Sequence, residues 1–341
     1  MKSKTIGYTF IIILIAIGAI VIYKLPQLNS SKKPIEFHNF KGKVYGTYFS
    51  MDYESAETYN QEIDSIFKAI DKASSAYSSA SEISRLNRDK LIENASPLLI
   101  EHFEKAGEFY TFTDEYFDPT LSALIEIWGF GKNTQPTVDT ASVKKHLSRV
   151  GFDEAYEIKE KDIALLKDSV KINFTAMGEG FAIDEIADFF ESKSIQNYKV
   201  EIGGEMRTRG ESPRSKKWLI GLQNPAAEDD PSLDPLMAKL ELVDQALSTS
   251  GSYRKFFVDQ NGIKRGHIIN PKTGFPVKHE LISVSVFSKS ASLSDATATA
   301  LMAMGLEKAK TFLTEQERVE AFLIYETEDG LKSWSTPGFV T

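Results

Sequence analysis

The sequence predicts an α+β fold of mixed, largely antiparallel sheets with packed helices, preceded by an N-terminal transmembrane or signal helix. Three observations predict it. An uncharged apolar run opens the chain, helix-period patterns fill much of the first half, and short β-type runs gather in the second half without regular βαβ alternation.

The opening run covers residues 5–23, behind Lys2 and Lys4, and contains Ile11, Ile12, Ile13, Leu14 and Ile15. At a rise of roughly 1.5 Å per residue it comes close to crossing a hydrocarbon core of roughly 30 Å. No convincing small-x-small cleavage site precedes Lys24 and Pro26, which favours an uncleaved anchor over a removed signal. The basic residues ahead of the run favour a cytoplasmic N-terminus, although Lys24, Lys32 and Lys33 weaken the asymmetry. The expected location is a bacterial cytoplasmic membrane, with the body on the periplasmic side. A buried core helix is the poorer reading, because the run has no polar face and nothing ahead of it to pack against. Residues 1–25 are therefore expected to be signal or anchor, residues 26–41 a polar, proline-containing linker, and residues 42–341 the folded body.

Within the body, Tyr59, Ile63, Ile66, Phe67, Ile70 and Ala73 recur at threes and fours and predict a helix with one apolar face. Further helices are predicted near residues 98–112, 142–150, 181–192 and 294–304. Residues 198–203, 218–222, 238–243, 282–287 and 320–325 are short, alternating or β-branched, and predict strands. Residues 225–235, with four acidic residues and three prolines, predict a surface loop.

Composition limits the chemistry. The chain has 341 residues, 42% hydrophobic and 26% charged, enough to bury a full core. Its net charge of -8 argues against sequence-independent binding of nucleic acid, which needs a cationic surface. With no cysteine there is no disulfide, thiolate metal site, catalytic thiol or lipid-bearing cysteine, so only oxygen and nitrogen chemistry remains.

The oxygen-rich segments are few. In Ser294-Asp295-Ala296-Thr297-Ala298-Thr299, a spacing of four sets the Asp295 carboxylate and the Thr299 hydroxyl on one helical face. Two hard donors so placed suit Mg²⁺, while the plainer alternative is that Ser294 or Asp295 caps a helix. Gly178-Glu179-Gly180 is expected to precede a helix, and Gly203-Gly204-Glu205 follows a strand; either glycine pair fits a phosphate approach or an ordinary turn. Residues 248–253 are dense in hydroxyls and could cradle a phosphate. His267 stands before a Pro-x-x-Gly turn, suited either to accept a proton or to hold structure. Tyr77 and the stretch Trp128-Gly129-Phe130 could sandwich a flat heterocycle or pack into a core.

Taken in order, these pieces resemble the FAD:protein FMN transferase, or ApbE, family over nearly the whole body. The resemblance is carried by Tyr45-Gly46-Thr47, Ser81-Glu82-Ile83-Ser84-Arg85-Leu86-Asn87, Phe117-Asp118-Pro119-Thr120 with Trp128-Gly129-Phe130-Gly131, and Gly178-Glu179-Gly180-Phe181-Ala182-Ile183-Asp184. It continues through Val200-Glu201-Ile202-Gly203-Gly204-Glu205, Thr249-Ser250-Gly251-Ser252-Tyr253, His267-Ile268-Ile269-Asn270-Pro271 and Asp295-Ala296-Thr297-Ala298-Thr299. It implies an enzyme that moves FMN from FAD to a Thr or Ser hydroxyl of an acceptor flavoprotein, a subunit of an electron-transfer complex, and releases AMP. It implies FAD contacts at Tyr45, Tyr77, Trp128, Gly129, Phe130, Asn173, Glu179 and Ile269. It also implies Mg²⁺ on Ala176 (through its carbonyl), Asp295 and Thr299, and His267 as the catalytic base.

Four positions depart from the family pattern. Tyr45 stands where Met is common, Asn173 where Asp often contacts FAD, Asn270 where the turn usually reads Asp-Pro, and Ala298 where a second acid sometimes stands. Rival readings are an FAD pyrophosphatase using water at the same site, a non-catalytic flavin-binding module, and a membrane-attached interaction domain.

Overall fold

In the computed structural model, which describes residues 34–130, 140–167, 169–228, 232–251, 256–258 and 264–339, the body opens on a hairpin. Strands β1 (Glu36–Val44) and β2 (Thr47–Ser55) are joined by Tyr45 and Gly46 alone, with φ of 51° and 82°. Two consecutive left-handed residues twist a two-residue turn in the same sense as the strands it joins. The folded unit thus spans Glu36–Thr341. The first six residues of its first strand lie in the stretch expected as linker, because the alternation in Phe37-His38-Asn39-Phe40 is too short and polar to read as a strand without its partner. The expected anchor lies outside the described residues. Among the described residues no helix is long and apolar enough to cross a membrane.

A helical region follows: α1 (Asn60–Ser74), α2 (Glu82–Asp89), β3 (Leu91–Ile92), α3 (Pro97–Phe112), α4 (Ser122–Ile127), α5 (Thr140–Leu147), β4 (Tyr156–Lys159), β5 (Asp162–Leu165) and α6 (Thr175–Ser192). Helix α1 buries Ile63, Phe67, Ile70 and Ala73, most of the predicted stripe. Helices α2 and α3 start where serines cap them: Ser81 accepts from Ser84 N and Ser96 from Leu99 N, with Pro97 next in line. Helix α6 begins six residues earlier than its apolar pattern suggests, so Gly178-Glu179-Gly180 lies within the helix rather than ahead of it.

The second half supplies β6 (Tyr198–Ile202), β7 (Glu205–Arg209), β8 (Trp218–Gln223), β9 (Leu236–Leu242), β10 (Ala246–Gly251), β11 (Phe256–Val258), β12 (Lys264–Gly266) and β13 (Leu281–Ser288). It closes with α7 (Ala291–Met304), α8 (Leu306–Thr314), β14 (Glu320–Thr327) and β15 (Gly330–Ser335). Eight strands form one sheet in the order β1-β2-β6-β7-β10-β13-β14-β15, with every neighbouring pair antiparallel. All five predicted strands are present. The hydroxyl-rich segment from residue 248 is largely strand β10, which pairs with β7 and β13.

Strand periodicity divides the core between the two faces of this sheet. Val284, Val286, Ala321 and Leu323 face the helices, whereas Phe287, Phe322 and Ile324 face a second cluster built with Leu222, Leu240 and Leu242 of β8 and β9. Helix α7 is buried on nearly every side, and only Thr299 and Met304 are even half-exposed. Its alanines and serines allow that, since a helix surrounded by protein needs small side chains wherever backbones approach.

Candidate functional site

Asp295 lies in the second turn of α7, and α7 is capped by Ser290, which accepts from Leu293 N at 3.2 Å. The cap reading of Ser294 or Asp295 is therefore wrong: the helix starts a turn earlier, and Asp295 projects from its interior. Its carboxylate is almost fully buried, and Oδ2 accepts from the backbone N–H of Gly180 on α6 at 3.2 Å. Burial, then the nearby charges of Glu205 and Glu179, raise its pKa well above the usual carboxylate range.

Helices α6 and α7 meet in antiparallel steps of four. Asp184 reaches Ala291 N and Ser292 N, and one turn away Gly180 N reaches Asp295. A Cβ on Gly180 would sit 2.4 Å from the carbonyl oxygen of Ala291, so only glycine permits this approach. Thr299 Oγ1 lies 3.3 Å from Ser250 Oγ of β10, which fixes the hydroxyl in place. Asp295 and Thr299, two of the three ligands expected for a cation, thus share α7, and Ala176, the third, lies on α6 one turn before the Gly180 that bonds Asp295. Among the described residues no three His, Cys, Asp or Glu side chains form a metal-binding group. The expected set contains one carboxylate, one hydroxyl and one carbonyl, so it does not need such a group.

Glu179 bears on both Asp295 and the Tyr45 phenol. Tyr45 sits in the hairpin turn, donates to the Phe67 carbonyl at 3.1 Å and meets the Phe67 ring edge-on at 5.8 Å. Burial first, then Asp71 and Glu179, push its phenol pKa far up, so it stays a neutral donor. Tyr45, Phe67, Lys68, Asp71, Lys72 and Ser81 line a cavity of about 400 Å³. Tyr77, beside it in sequence, is 76% exposed, which rules out the core-packing alternative for that ring.

Trp128 shows the opposite. It is buried in a small cluster with Leu124, Val143 and Ile269, and its indole N–H donates to the Gly274 carbonyl at 2.8 Å. Gly129 has φ 81°, turning the chain so that the Phe130 ring stands 6.4 Å from the His267 ring at 69°. Ile269 is buried in the same cluster and bridges to Pro276. His267 follows β12 and leads into the turn at Asn270, whose Oδ1 accepts from Lys272 N at 2.8 Å and whose amide donates to Ala303 O at 2.9 Å. Ala303 lies one turn beyond Thr299, roughly 6 Å along the helix axis. The turn that follows His267 is therefore docked on the helix that carries the candidate cation ligands.

Asn173 serves the start of α6: its Oδ1 accepts from Thr175 N at 2.9 Å, and its own N–H donates to Pro119 O at 2.9 Å. That bond ties α6 to Asp118, which accepts from Thr120 N at 2.7 Å and is pushed up to about 6 by burial. Sequence reading missed the roles of Asp184, Glu205 and Ser250. All three lie in quoted motifs, but their partners are brought to them by the fold rather than by spacing.

The comparisons with known proteins agree with one another. The model of the ApbE family matches residues 45–323. The chain is 29% identical to an FAD:protein FMN transferase of Vibrio cholerae over 94% of this chain and 97% of that protein. It is 31% identical to one of Buchnera aphidicola over 94% of each. The solved flavin transferase ApbE of Vibrio cholerae superposes with a TM-score of 0.78 at 27% identity, over 90% of this chain and 99% of that one. The apo flavinyl transferase ApbE of Pseudomonas stutzeri gives a TM-score of 0.79 at 25% identity, over 89% and 95%.

Proposed function

The chain belongs to the ApbE family and is a flavin transferase, and on that premise we propose that it moves FMN from FAD onto a Thr or Ser hydroxyl of an acceptor flavoprotein, with Mg²⁺ at the α6–α7 seam. The observation that carries the reading is the buried Asp295, bonded to Gly180 N–H and set one helical turn from a Thr299 hydroxyl already held by Ser250. A carboxylate withdrawn from water among two further acids is costly unless a cation joins it, so the donors present fit a divalent metal. Bound there, Mg²⁺ would neutralise diphosphate oxygens and ease the departure of AMP.

The remaining steps belong to the protein. The cavity beside Tyr45 has an aromatic wall suited to a flat ring, and Tyr45 keeps its proton there. His267 accepts the proton of the acceptor hydroxyl as its oxygen bonds to the riboflavin-side phosphorus. The bond from that phosphorus to the bridging oxygen breaks, and its electron pair leaves with AMP. The acceptor is a subunit of an electron-transfer complex, and the run over residues 5–23 tethers the enzyme to a bacterial cytoplasmic membrane, body outward. Protease accessibility of the body in intact spheroplasts tests that placement; protection would overturn it.

Incubation with FAD, Mg²⁺ and a candidate acceptor, read by mass spectrometry of the acceptor, tests the reaction. The expected result is one FMN added through a phosphoester, lost in Asp295→Ala and His267→Ala. AMP release with no flavin on the acceptor would replace transfer by hydrolysis, and intact FAD throughout would leave only a binding module.

A further inference from the structure

We propose that Asp184 is a positioning residue for the cation seam, clasping the first turn of α7 to α6 so that Asp295 meets Ala176 and Gly180. The inference rests on the cation reading of that seam.

Asp184 is buried in α6, and its carboxylate takes four bonds from the start of α7. Oδ1 accepts from Ala291 N at 2.9 Å; Oδ2 accepts from Ser292 N at 2.9 Å and from the hydroxyls of Ser290 and Ser292 at 2.7 Å each. This exceeds what capping requires, since Ser290 already caps the helix. The unsatisfied N–H groups and positive dipole end of α7 suit a carboxylate, and an amide in its place would turn a donor toward them. Arg207 of β7 pairs with the same carboxylate at 3.0 Å and continues to Glu191 at 3.2 Å, so the clasp is fastened to the sheet as well. Two residues before Arg207, the same strand begins with Glu205, one of the charges acting on Asp295.

Spacing gives the clasp its effect on the seam. Asp184 lies four residues from Gly180, and Ala291 lies four from Asp295, so clasp and seam are successive rungs between two antiparallel helices. With the outer rung rigid, the inner one has a single geometry. With it loosened, α7 can slide or rotate by fractions of an ångström, which a donor set at metal-ligand distances does not tolerate.

The test is Mn²⁺ binding to the full-length protein in detergent, without substrate, read by the electron paramagnetic resonance of free Mn²⁺. Wild type is expected to bind and Asp295→Ala not to. Asp184→Asn is expected to raise the dissociation constant by roughly ten-fold or more while the far-ultraviolet spectrum stays native. Ser292→Ala, which keeps the carboxylate and both backbone bonds, is expected to raise it about two- to four-fold, and it decides the matter if Asp184→Asn does not fold. A lowered melting temperature with an unchanged constant in the folded variant would make Asp184 merely structural and overturn the proposal. Failure of wild type to bind Mn²⁺ would instead remove the cation reading, and this inference with it.

Discussion

Asn270 illustrates at the residue scale how one side chain can explain a departure from a family pattern. Its carbonyl oxygen accepts from Lys272 N and Thr273 N, as an aspartate there would. Its Nδ2, however, donates to Ala303 O in the last turn of α7, where carbonyls carry the helix's partial negative charge. A carboxylate would face that end with like charge and no donor. Asn270→Asp is therefore expected to lose about 1–2 kcal/mol in urea unfolding and to lower transfer by loosening the turn that follows His267. Stability equal to wild type would refute the account. Trp128 is a second case: as a letter it offered either a stacking platform or core, and its indole bond to Gly274 shows that it secures the same turn. Tyr77 went the other way. The difference is which hydrogen-bond partners come within reach, a matter the residue type does not contain.

Among the elements, α6 and α7 build the seam. The apolar pattern located both helices but started each too late, at 181 and 294, with Gly178 and Gly180 read as lying ahead of a helix rather than inside it. Both readings fail for one reason: the residues that weaken these helices locally are those that allow them to touch. Gly180→Ala tests this. Alanine gains up to about 1 kcal/mol of helix propensity, but its Cβ would meet the backbone of Ala291 at 2.4 Å, and backbone cannot swing aside. Overpacking of this kind costs about 1–3 kcal/mol, so the steric term is expected to win. The variant should melt below wild type and lose at least about ten-fold in transfer; a higher melting temperature with full activity would show that α7 can yield. The β1–β2 hairpin is the other element that sequence missed in part, since its strands are held by pairing with each other and, over residues 49–53 of β2, with β6 far along the chain.

For the molecule as a whole, the core contains a titrating weakness on the helical side of the sheet. His102 of α3 is fully buried, 3.6 Å from the Phe181 ring, with Nδ1 bonded to Leu98 O and no partner at Nε2. Burial pushes its pKa down to about 4 from an ordinary 6.5. The unfolded chain therefore binds a proton that the folded one refuses, and stability is lost as pH falls from 6.5 towards 4. Asp118, raised to about 6, acts in the opposite sense, because the folded state holds its proton first and gains as pH falls from 6 towards 3.8. His102→Phe removes the first effect and leaves the second. Moving from about pH 7.5 to about pH 5 should cost it on the order of 2 kcal/mol less than it costs wild type, as read by urea unfolding at both values; equal losses would show that His102 is not the sensitive group. The order of residues along the chain by itself determined the α+β class, the exclusion of thiol chemistry, the five predicted strands and the family to which the motifs belong. Those properties are written in neighbours and periods, which local sterics and amphipathicity translate directly. What only the folded chain decided is which polar groups face one another: Asp184 with Ala291, Gly180 with Asp295, Ser250 with Thr299, pairs from separate elements. Spacing along the chain cannot encode such meetings, since they exist only once burial has removed water and left each group the few partners that packing brings within reach.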